Sequence, residues 1–224
     1  MGDPCSGEGA LNWPFGEMLP FSFDLFVVDW PWDFKLYSEN GEKKSARAQY
    51  DTMSLQEIMD FSVITHLAKR DSLWLIWTCE WMKPGDQQRI LDAHGLEYKS
   101  ALIWRKTTKN GKVRMGTGYR VRTMHERIIV ATTGNPNHRA FKSVFDGLAR
   151  QHSRKPEEFY DIVQKCTPGM DRADMFTRQT RDGFTSWGRE KTLFDAGGPV
   201  SVKRANAASE ERELAPMPLF EPSA

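Results

Sequence analysis

The sequence predicts a single α/β domain with a doubly wound sheet. Short apolar runs typical of buried strands alternate with segments of helical periodicity from about residue 21 to residue 190. Outside this stretch the alternation is lost. Residues 1–20 are irregular and rich in Gly and Pro, and residues 191–224 are dominated by Gly, Pro, Ala, Ser and Glu. We therefore expect an irregular N-terminal segment, one domain and a disordered tail.

The first half of the domain alternates three apolar runs with two helix signals. The run Leu25-Phe26-Val27-Val28 is apolar throughout, which is typical of a buried parallel strand. Pro84 and Gly95 mark the beginning and the end of one helix, and a capping box precedes the other. The predicted elements are a strand over Asp24–Asp29, a helix from the capping box Ser54–Glu57 through Ile58–Leu67, a strand over Leu73–Trp77, a helix over Pro84–His94 and a strand over Tyr98–Trp104.

The second half begins with a long stretch that lacks helical periodicity. Arg105–His125 is basic and contains three glycines, so we predict a mobile loop there. The elements predicted beyond it are a strand over Arg127–Thr132, a short strand over Val144–Ala149, a helix from Lys155 to Lys165 with Pro156 in its first turn, and a last short strand over Ala173–Thr177.

The composition of the chain disfavours a membrane protein and a metal site. The chain has 31 basic and 30 acidic residues, so its net charge neither favours nor excludes a nucleic-acid partner. It has no 18-residue apolar run and no N-terminal apolar signal region, which predicts a cytoplasmic protein without a membrane span. Cys5, Cys79 and Cys166 lack metal-ligand spacing, and we expect free thiols and no metal site.

The most informative motif is Asp29-Trp30-Pro31-Trp32, at the end of the first apolar run. Open α/β sheets bind ligands at the carboxyl ends of their strands. An exocyclic aromatic amine is a poor nucleophile because its lone pair is delocalised into the ring. The Asp29 carboxylate and the Trp30 carbonyl can accept its two N–H groups, which favours a localised lone pair, and Trp32 offers a stacking face. These four residues alone fit equally well a strand that ends in a turn, with both tryptophans simply packed.

Further motifs follow the tetrapeptide in order. They are Tyr50-Asp51-Thr52-Met53-Ser54, Gly116-Thr117-Gly118-Tyr119 with Arg122 and His125-Glu126, Gly134-Asn135-Pro136, Ser153-Arg154-Lys155-Pro156-Glu157, Met175-Phe176-Thr177-Arg178 and Trp187-Gly188-Arg189-Glu190. The ordered set resembles the MT-A70-like adenine-N6 methyltransferase family, which contains the catalytic subunit of the eukaryotic mRNA methyltransferase and many bacterial and phage DNA methyltransferases. The family motif is Asp-Pro-Pro-Trp, so Trp30 is a departure from it.

The resemblance implies a Rossmann-like, S-adenosylmethionine-dependent methyltransferase fold with a permuted motif order, in which the catalytic motif precedes most cofactor-binding motifs. It implies that Asp29, Trp30, Pro31 and Trp32 form the catalytic motif. Asp29 would contact both the target amine and the methionyl amino group of the cofactor, and Lys155 would pair with the methionyl carboxylate. The other cofactor-binding residues that it implies are Asp174, Arg178, Thr180, Arg181, Gly188, Arg189 and Glu190, with Asn12–Phe15 as candidates near the adenine of the cofactor.

One stretch of the chain suits contacts with phosphates. No acidic residue occurs from Arg105 to His125, and the seven cations there are Arg105, Lys106, Lys109, Lys112, Arg114, Arg120 and Arg122. Tyr50 is a candidate for the wall of the base pocket. A solvated charged loop and a tyrosine packed in the core are the alternatives. A base inside a duplex is out of reach of an active site, so the target must be flipped or already unpaired.

These features predict a DNA adenine-N6 methyltransferase of bacterial or phage type, with site-specific or relaxed target choice, acting as a monomer or homodimer. The Gly-x-Gly-Tyr and His-Glu motifs favour DNA. The alternatives are an RNA adenosine-N6 methyltransferase and a catalytically inactive nucleic-acid-binding partner of another methyltransferase. Met217-Pro218-Leu219-Phe220 resembles a short segment that docks on a partner protein, although an inert tail is the simpler interpretation.

Overall fold

The computed structural model describes residues 13–33, 52–80, 82–116, 120–151 and 153–195. They form a mixed α/β fold, as predicted. The strands are β1 (Phe23–Val28), β2 (Ala68–Thr78), β3 (Glu97–Thr107), β4 (His125–Thr133), β5 (Val144–Leu148), β6 (Arg172–Met175) and β7 (Thr185–Trp187). The α-helices are α1 (Leu55–Asp60), α2 (Pro84–Ala93) and α3 (Glu157–Cys166), and a 3₁₀ helix spans Ser62–Leu67. None of these helices is long and apolar enough to cross a membrane.

One sheet organises these elements in the order β5-β3-β4-β2-β1-β6-β7. Neighbouring strands are parallel except on both sides of β4, which is antiparallel to β2 and to β3. The sequence pattern did not specify this reversal. A cue was nonetheless present, because a connection without a helix, such as the one from β3 to β4, joins antiparallel neighbours. The amino end of β4 therefore lies at the same edge as the carboxyl ends of the other six strands, which we call the carboxyl edge.

Strand β1 is buried on both faces, which explains its continuous apolar run. It lies between two parallel partners, β2 and β6. Phe26 and Val28 pack into a core that also contains residues of α1 and α2, whereas Leu25 and Val27 pack into a second core with residues of α3. Burial of one such side chain stabilises the fold by about 1.5–3 kcal/mol. This two-sided packing fixes the position of the residue that follows β1.

The helix predicted after the capping box is shorter than expected. The box itself is present: the Ser54 hydroxyl accepts from the Glu57 N–H at 3.3 Å, and the Glu57 carboxylate accepts from the Ser54 N–H at 2.7 Å. After α1, however, the chain continues as the 3₁₀ helix rather than as further α-helix. The β-branched run Val63-Ile64-Thr65 lowers helix propensity, and the Thr65 hydroxyl donates to the Ser62 carbonyl, which competes with regular helical bonding.

In the basic stretch predicted as a mobile loop, residues 105–107 belong to β3 and residue 125 to β4, and backbone hydrogen bonds hold the loop between them. The Thr108 N–H donates to the Lys112 carbonyl at 2.8 Å and closes a tight turn. The Gly116 N–H then donates to the Thr123 carbonyl at 3.0 Å. We call residues 108–116 and 120–124 the β3–β4 hairpin. Its glycines indicated irregular structure, but the backbone pairing between its two arms depends on tertiary placement that glycine content does not reveal.

Candidate active site

Charged side chains from distant parts of the chain meet at the carboxyl edge. Asp29 directly follows β1, Asp174 lies in β6, and Lys106 lies near the end of β3. Glu126 lies near the beginning of β4 and reaches this edge because β4 runs opposite to its neighbours. Lys155 comes from the segment that leads into α3. The fold thus brings together residues that the sequence separates widely.

Lys155 is the centre of a half-buried ion cluster. Its Nζ lies 3.1 Å from Asp29 Oδ1 and 3.1 Å from Glu126 Oε2, and its side chain is 12% exposed. Glu126 Oε1 lies 2.7 Å from Lys106 Nζ. The Lys155 ammonium also lies 4.7 Å from the centre of the Trp77 ring. We call Asp29, Lys106, Glu126 and Lys155 the Lys155 cluster; its two negative and two positive charges compensate one another.

The electrostatics of this cluster shift the pKa values of its two carboxylates in opposite directions. Burial raises the pKa of Asp29, Lys155 lowers it, and the negative charge of Glu126 raises it further, for a net rise. Burial also acts on Glu126, but Lys155 and Lys106 outweigh it and hold the Glu126 pKa below its ordinary value. For Lys155, burial is outweighed by Asp29 and Glu126, and its pKa is well above the ordinary value. Lys155 is thus the main cation that favours the ionised form of Asp29.

A second buried network surrounds Asp174, which is 1% exposed. Arg181 Nη1 lies 3.3 Å from Asp174 Oδ2, and the Tyr160 hydroxyl donates to Asp174 Oδ1 at 3.4 Å. The Arg181 guanidinium stacks on the Tyr160 ring, 3.5 Å from its centre. Burial raises the pKa of Asp174 to about 7, against the opposing effect of Arg181. Asp174 and Arg181 thus contact each other in the interior.

Arg150 connects the two networks. Its Nη2 donates to Glu157 Oε1 at 2.6 Å and to the Lys155 carbonyl at 2.8 Å. Glu157 Oε2 in turn accepts from Arg181 Nε at 2.9 Å. This chain of bonds holds the backbone of Lys155 in place. Sequence reasoning assigned no role to Arg150 or Glu157, because each is recognisable only by its partners.

The backbone of the tetrapeptide is braced by a neighbouring motif. The Met53 N–H donates to the Pro31 carbonyl at 2.7 Å, and the Asp33 N–H donates to the Met53 carbonyl at 3.0 Å. The Trp32 N–H donates to the Trp30 carbonyl at 2.9 Å. This carbonyl, expected to accept from a target amine, therefore has one lone pair left for that purpose. The bracing also gives the motif that contains Met53 a structural role.

The side chains of the two tryptophans contribute to the core. Trp30 is 3% exposed, and its ring lies 5.0 Å from Phe176, 5.4 Å from His94 and 6.3 Å from Phe61, measured between ring centres. Trp32 is half-buried and packs against the same core. The Trp30 side chain thus fits the alternative in which the tryptophans are simply packed. Of the groups of Trp30, the carbonyl remains a candidate for chemistry.

Residues 190–195, which we call the strap, fold back over the loop between β6 and β7. Thr180 donates twice to Asp195: its N–H to Oδ1 at 2.9 Å and its hydroxyl to Oδ2 at 2.7 Å. The Phe194 N–H donates to the Arg178 carbonyl at 3.0 Å. The Arg154 guanidinium lies 5.2 Å from the centre of the Phe194 ring. The strap thus holds the loop that carries Arg178 and Thr180.

The remaining predicted cofactor residues lie beside this loop. Arg178 Nε lies 3.1 Å from Glu190 Oε2, and Arg189 is exposed. Gly188 permits close backbone packing, since a Cβ there would lie 2.9 Å from the Thr177 carbonyl oxygen. Among the candidates upstream of β1, Phe15 is buried in the core, whereas Asn12 lies outside the described residues.

The seven cations predicted to contact phosphates divide into those with a described side-chain contact to the protein and those without one. Arg105 pairs with Asp146 at 2.6 Å, and Lys106 belongs to the Lys155 cluster. Arg114 donates to the carbonyls of residues 149 and 150, and Arg122 to the Met115 sulfur. The cations that project from the hairpin without a described protein contact are Lys109, Lys112 and Arg120. Tyr50 and the tail segment Met217–Phe220 lie outside the described residues.

Glu126 is the main site residue that the sequence analysis did not assign. Glu126 lies in the His-Glu motif, directly before a predicted strand, and this position was the available indication that it could belong to the site. Its partners Lys155 and Lys106 come from other elements, so its charge pairing was not visible along the chain. No group of three or more potential metal ligands occurs among the residues that the structure describes.

The sequence is similar to those of known methyltransferases. The MT-A70 family model matches residues 23–190. A protein named Type II methyltransferase M.MunI, from a Mycoplasma species, is 28% identical over 200 residues, covering 79% of this chain and 83% of its own. The human N(6)-adenosine-methyltransferase catalytic subunit METTL3 is 25% identical over 162 residues, which cover 70% of this chain but 26% of METTL3. The N6-methyladenosine RNA methyltransferase MTA1 of Cryphonectria parasitica is 28% identical over 184 residues, or 52% of its length.

Proposed function

This chain belongs to the MT-A70 family of adenine-N6 methyltransferases, and we propose that it transfers a methyl group from S-adenosylmethionine to N6 of adenine in DNA. The observation that supports this proposal most directly is the Lys155 cluster. It places an acceptor carboxylate, Asp29, next to a fixed cation at the carboxyl edge of the sheet. Ligands bind at this edge in open α/β folds.

The site can bind both N–H groups of an aromatic amine. Asp29 accepts one of them when it is ionised, and the free lone pair of the Trp30 carbonyl accepts the other. These two bonds favour a lone pair localised on the nitrogen, in a pocket where fixed charges and dipoles replace water. Lys155 lowers the Asp29 pKa and thereby favours the ionised form. Arg150 supports this arrangement through its bond to the Lys155 carbonyl.

The residues around the cluster fit S-adenosylmethionine, which when bound supplies an electrophilic methyl group. Lys155 has three N–H donors, and its contacts with Asp29 and Glu126 leave one for the methionyl carboxylate. Asp29 can accept from the methionyl ammonium group. Glu190, which is 37% exposed, is a candidate to accept from the ribose hydroxyls. Thr180 is assigned an indirect role, because Asp195 accepts from both its N–H and its hydroxyl.

Two observations favour DNA over RNA as the proposed substrate. The relative matched over most of its own length is a type II methyltransferase, a class that acts on DNA, whereas METTL3 and MTA1 are matched over 26% and 52% of theirs. In addition, exposed cations of the β3–β4 hairpin lie next to the carboxyl edge, where they suit phosphate contacts.

Incorporation of tritium from labelled S-adenosylmethionine into DNA and RNA of matched sequence tests this function. Asp29→Asn keeps the shape of the side chain but removes its charge. We expect it to lower the rate of DNA methylation by about 100-fold or more, as expected for the loss of one preorganised polar group. Asp161→Asn is the matched control, because Asp161 is exposed on α3, and it should retain the wild-type rate.

Label in RNA but not in DNA would replace the proposed substrate by the RNA alternative. Label in neither polymer would favour the inactive-partner alternative. Equal rates for Asp29→Asn and the wild-type protein would contradict the role of Asp29.

A further inference from the structure

The β3–β4 hairpin exposes an unusual amount of apolar surface. Eight large apolar side chains are exposed among the described residues, and four of them lie in this hairpin: Val113, Met115, Val121 and Met124. Val121 is 76% exposed and Met115 58% exposed. Single exposed apolar residues are common, but a cluster of them indicates a surface that contacts a partner.

The same hairpin also carries exposed cations. Lys109, Lys112 and Arg120 are exposed, and the Arg122 guanidinium lies 3.3 Å from the Met115 sulfur. No acidic residue occurs in the sequence between Arg105 and His125. Apolar groups and cations exposed on one hairpin complement a nucleic acid, whose phosphates are outside and whose base stack is apolar.

The hairpin is fixed to the candidate active site. Its Arg114 N–H donates to the Lys106 carbonyl at 2.8 Å, and the Lys106 N–H donates to the Met124 carbonyl at 2.9 Å. The Lys106 side chain belongs to the Lys155 cluster through Glu126. The Arg114 side chain also donates to the Ala149 carbonyl at 3.0 Å. The exposed apolar residues are therefore held in a defined position relative to Asp29.

A second copy of this chain fits the exposed surface of the β3–β4 hairpin less well than a nucleic acid does. In a two-fold dimer the same patch faces itself, so the cations of one hairpin would lie against those of the other. Such a contact would remain repulsive, since the hairpin carries no acid of its own to offset them.

We propose that Met115 and Val121 form an apolar wedge that enters the base stack of double-stranded DNA and occupies the space left by the target adenine when it is flipped. This inference rests on the proposed function and specifies its substrate as a duplex. Methionine is among the side chains that proteins insert between base steps. The neighbouring Lys109, Lys112 and Arg120 would contact phosphates on either side of the insertion.

The test compares a duplex with a single strand of the same sequence. Unstacking and unpairing oppose flipping in a duplex but are small for an unpaired base. We expect the double variant Met115→Ser, Val121→Ser to lose about tenfold or more of its rate on the duplex while keeping its rate on the single strand within about twofold. The salt dependence of duplex binding should be unchanged, since no cation has been removed.

Two further variants serve as comparisons. Val144→Ser removes a valine that is 52% exposed on the edge strand β5, away from the hairpin, and should leave both rates unchanged. Lys109→Gln, Lys112→Gln removes charge but keeps the wedge. It should weaken binding to duplexes of any sequence and reduce the slope of log K against log salt by about 2.

The wedge proposal would be overturned if the double variant lost rate equally on the duplex and the single strand, or lost no rate on the duplex. A wild-type protein that methylates single strands alone would also overturn the proposal, because it would not need to flip a base. Failure of the proposed function is recognised separately, since the wild-type protein would then methylate neither form of DNA.

Discussion

At the scale of single residues, the proposed function makes binding of the target amine depend on the protonation state of Asp29. Burial and Glu126 raise the pKa of this carboxyl, and Lys155 is the cation that opposes them. The protonated form cannot accept from the amine at the oxygen that carries the proton, so the rate should fall on the acidic side of the Asp29 pKa.

Removal of the Lys155 charge is expected to shift the pH profile. In Lys155→Met the Asp29 pKa rises further, so the acidic limb of kcat against pH moves to higher pH. The profile is measured at saturating S-adenosylmethionine, because cofactor affinity will also fall. Lys165→Met alters an exposed lysine of α3 and should leave the limb in place. A lower kcat with the acidic limb at its wild-type pH would show that Lys155 does not control the pKa of Asp29.

Trp30 is expected to act through packing. Its indole fills a space between Phe61, His94 and Phe176. Trp30→Ala should lower the free energy of unfolding by about 3–5 kcal/mol, as expected for the loss of a large buried aromatic side chain. Trp30→Phe should cost less, because it retains one ring. Urea denaturation measures both, and equal stability of Trp30→Ala and the wild-type protein would contradict this role.

Motifs in the sequence identified some of the candidate site residues. Asp29 and Lys155 were assigned by position, and the structure places them 3.1 Å apart. Charge pairing was harder to predict. Arg105 was expected to bind phosphate but pairs with Asp146, and Lys106 pairs with Glu126. Both acids come from other strands, and a charge pattern along the chain carries no information about such partners.

At the scale of elements, the strap links the end of the described chain to the predicted cofactor loop. It contributes no proposed cofactor contact beyond Glu190. Its bonds instead determine where Thr180 and the Arg178 backbone lie. Asp195 is therefore a positioning residue in the proposed function.

Asp195→Ala tests this role. Loss of the two bonds to Thr180 should weaken binding of S-adenosylmethionine by about tenfold, or ~1.4 kcal/mol, while kcat at saturation is retained. Calorimetric titration with the product S-adenosylhomocysteine gives the affinity without turnover. Asp182→Ala, at an exposed position of the same loop, is the control. An unchanged dissociation constant would argue against positioning, and so would a fall in kcat with intact binding.

Element boundaries show where sequence patterns fail. The β1 run was recognisable because both of its faces are apolar. Strand β7 was missed because its three residues are too few to show alternation. The start of β2 was hidden by polar residues, among them Lys69, which lies 2.8 Å from both Asp24 and Asp171.

At the scale of the whole molecule, Asp174 couples folding to pH. Its pKa is 3.8 ordinarily and about 7 in the folded protein, mainly because of burial. Between these values the folded state holds a proton that the unfolded chain has released. The free energy of unfolding therefore decreases as the pH rises through this window, by at most about 1.4 kcal/mol per pH unit for this proton.

Asp174→Asn should flatten this decrease, since it removes the titrating group. The variant will also be less stable overall, because it removes one of the two carboxylates that pair with Arg181, the other being that of Glu157. The slope of stability against pH separates the two effects. Urea denaturation at several pH values between about 4 and 7 measures it. Asp182→Asn should keep the wild-type slope, and identical slopes for all three proteins would contradict the assignment.

The pairing of β1 has a consequence for how the protein is made. One edge of β1 is satisfied by β2, which follows soon in the chain, but the other pairs with β6 through Leu25 and Arg172. During synthesis that second edge has no partner until almost the whole domain has left the ribosome. Nascent chains that stop before Arg172 should therefore expose an apolar strand edge and aggregate. We therefore expect completion of the carboxyl edge and protection of the nascent sheet to coincide late in folding.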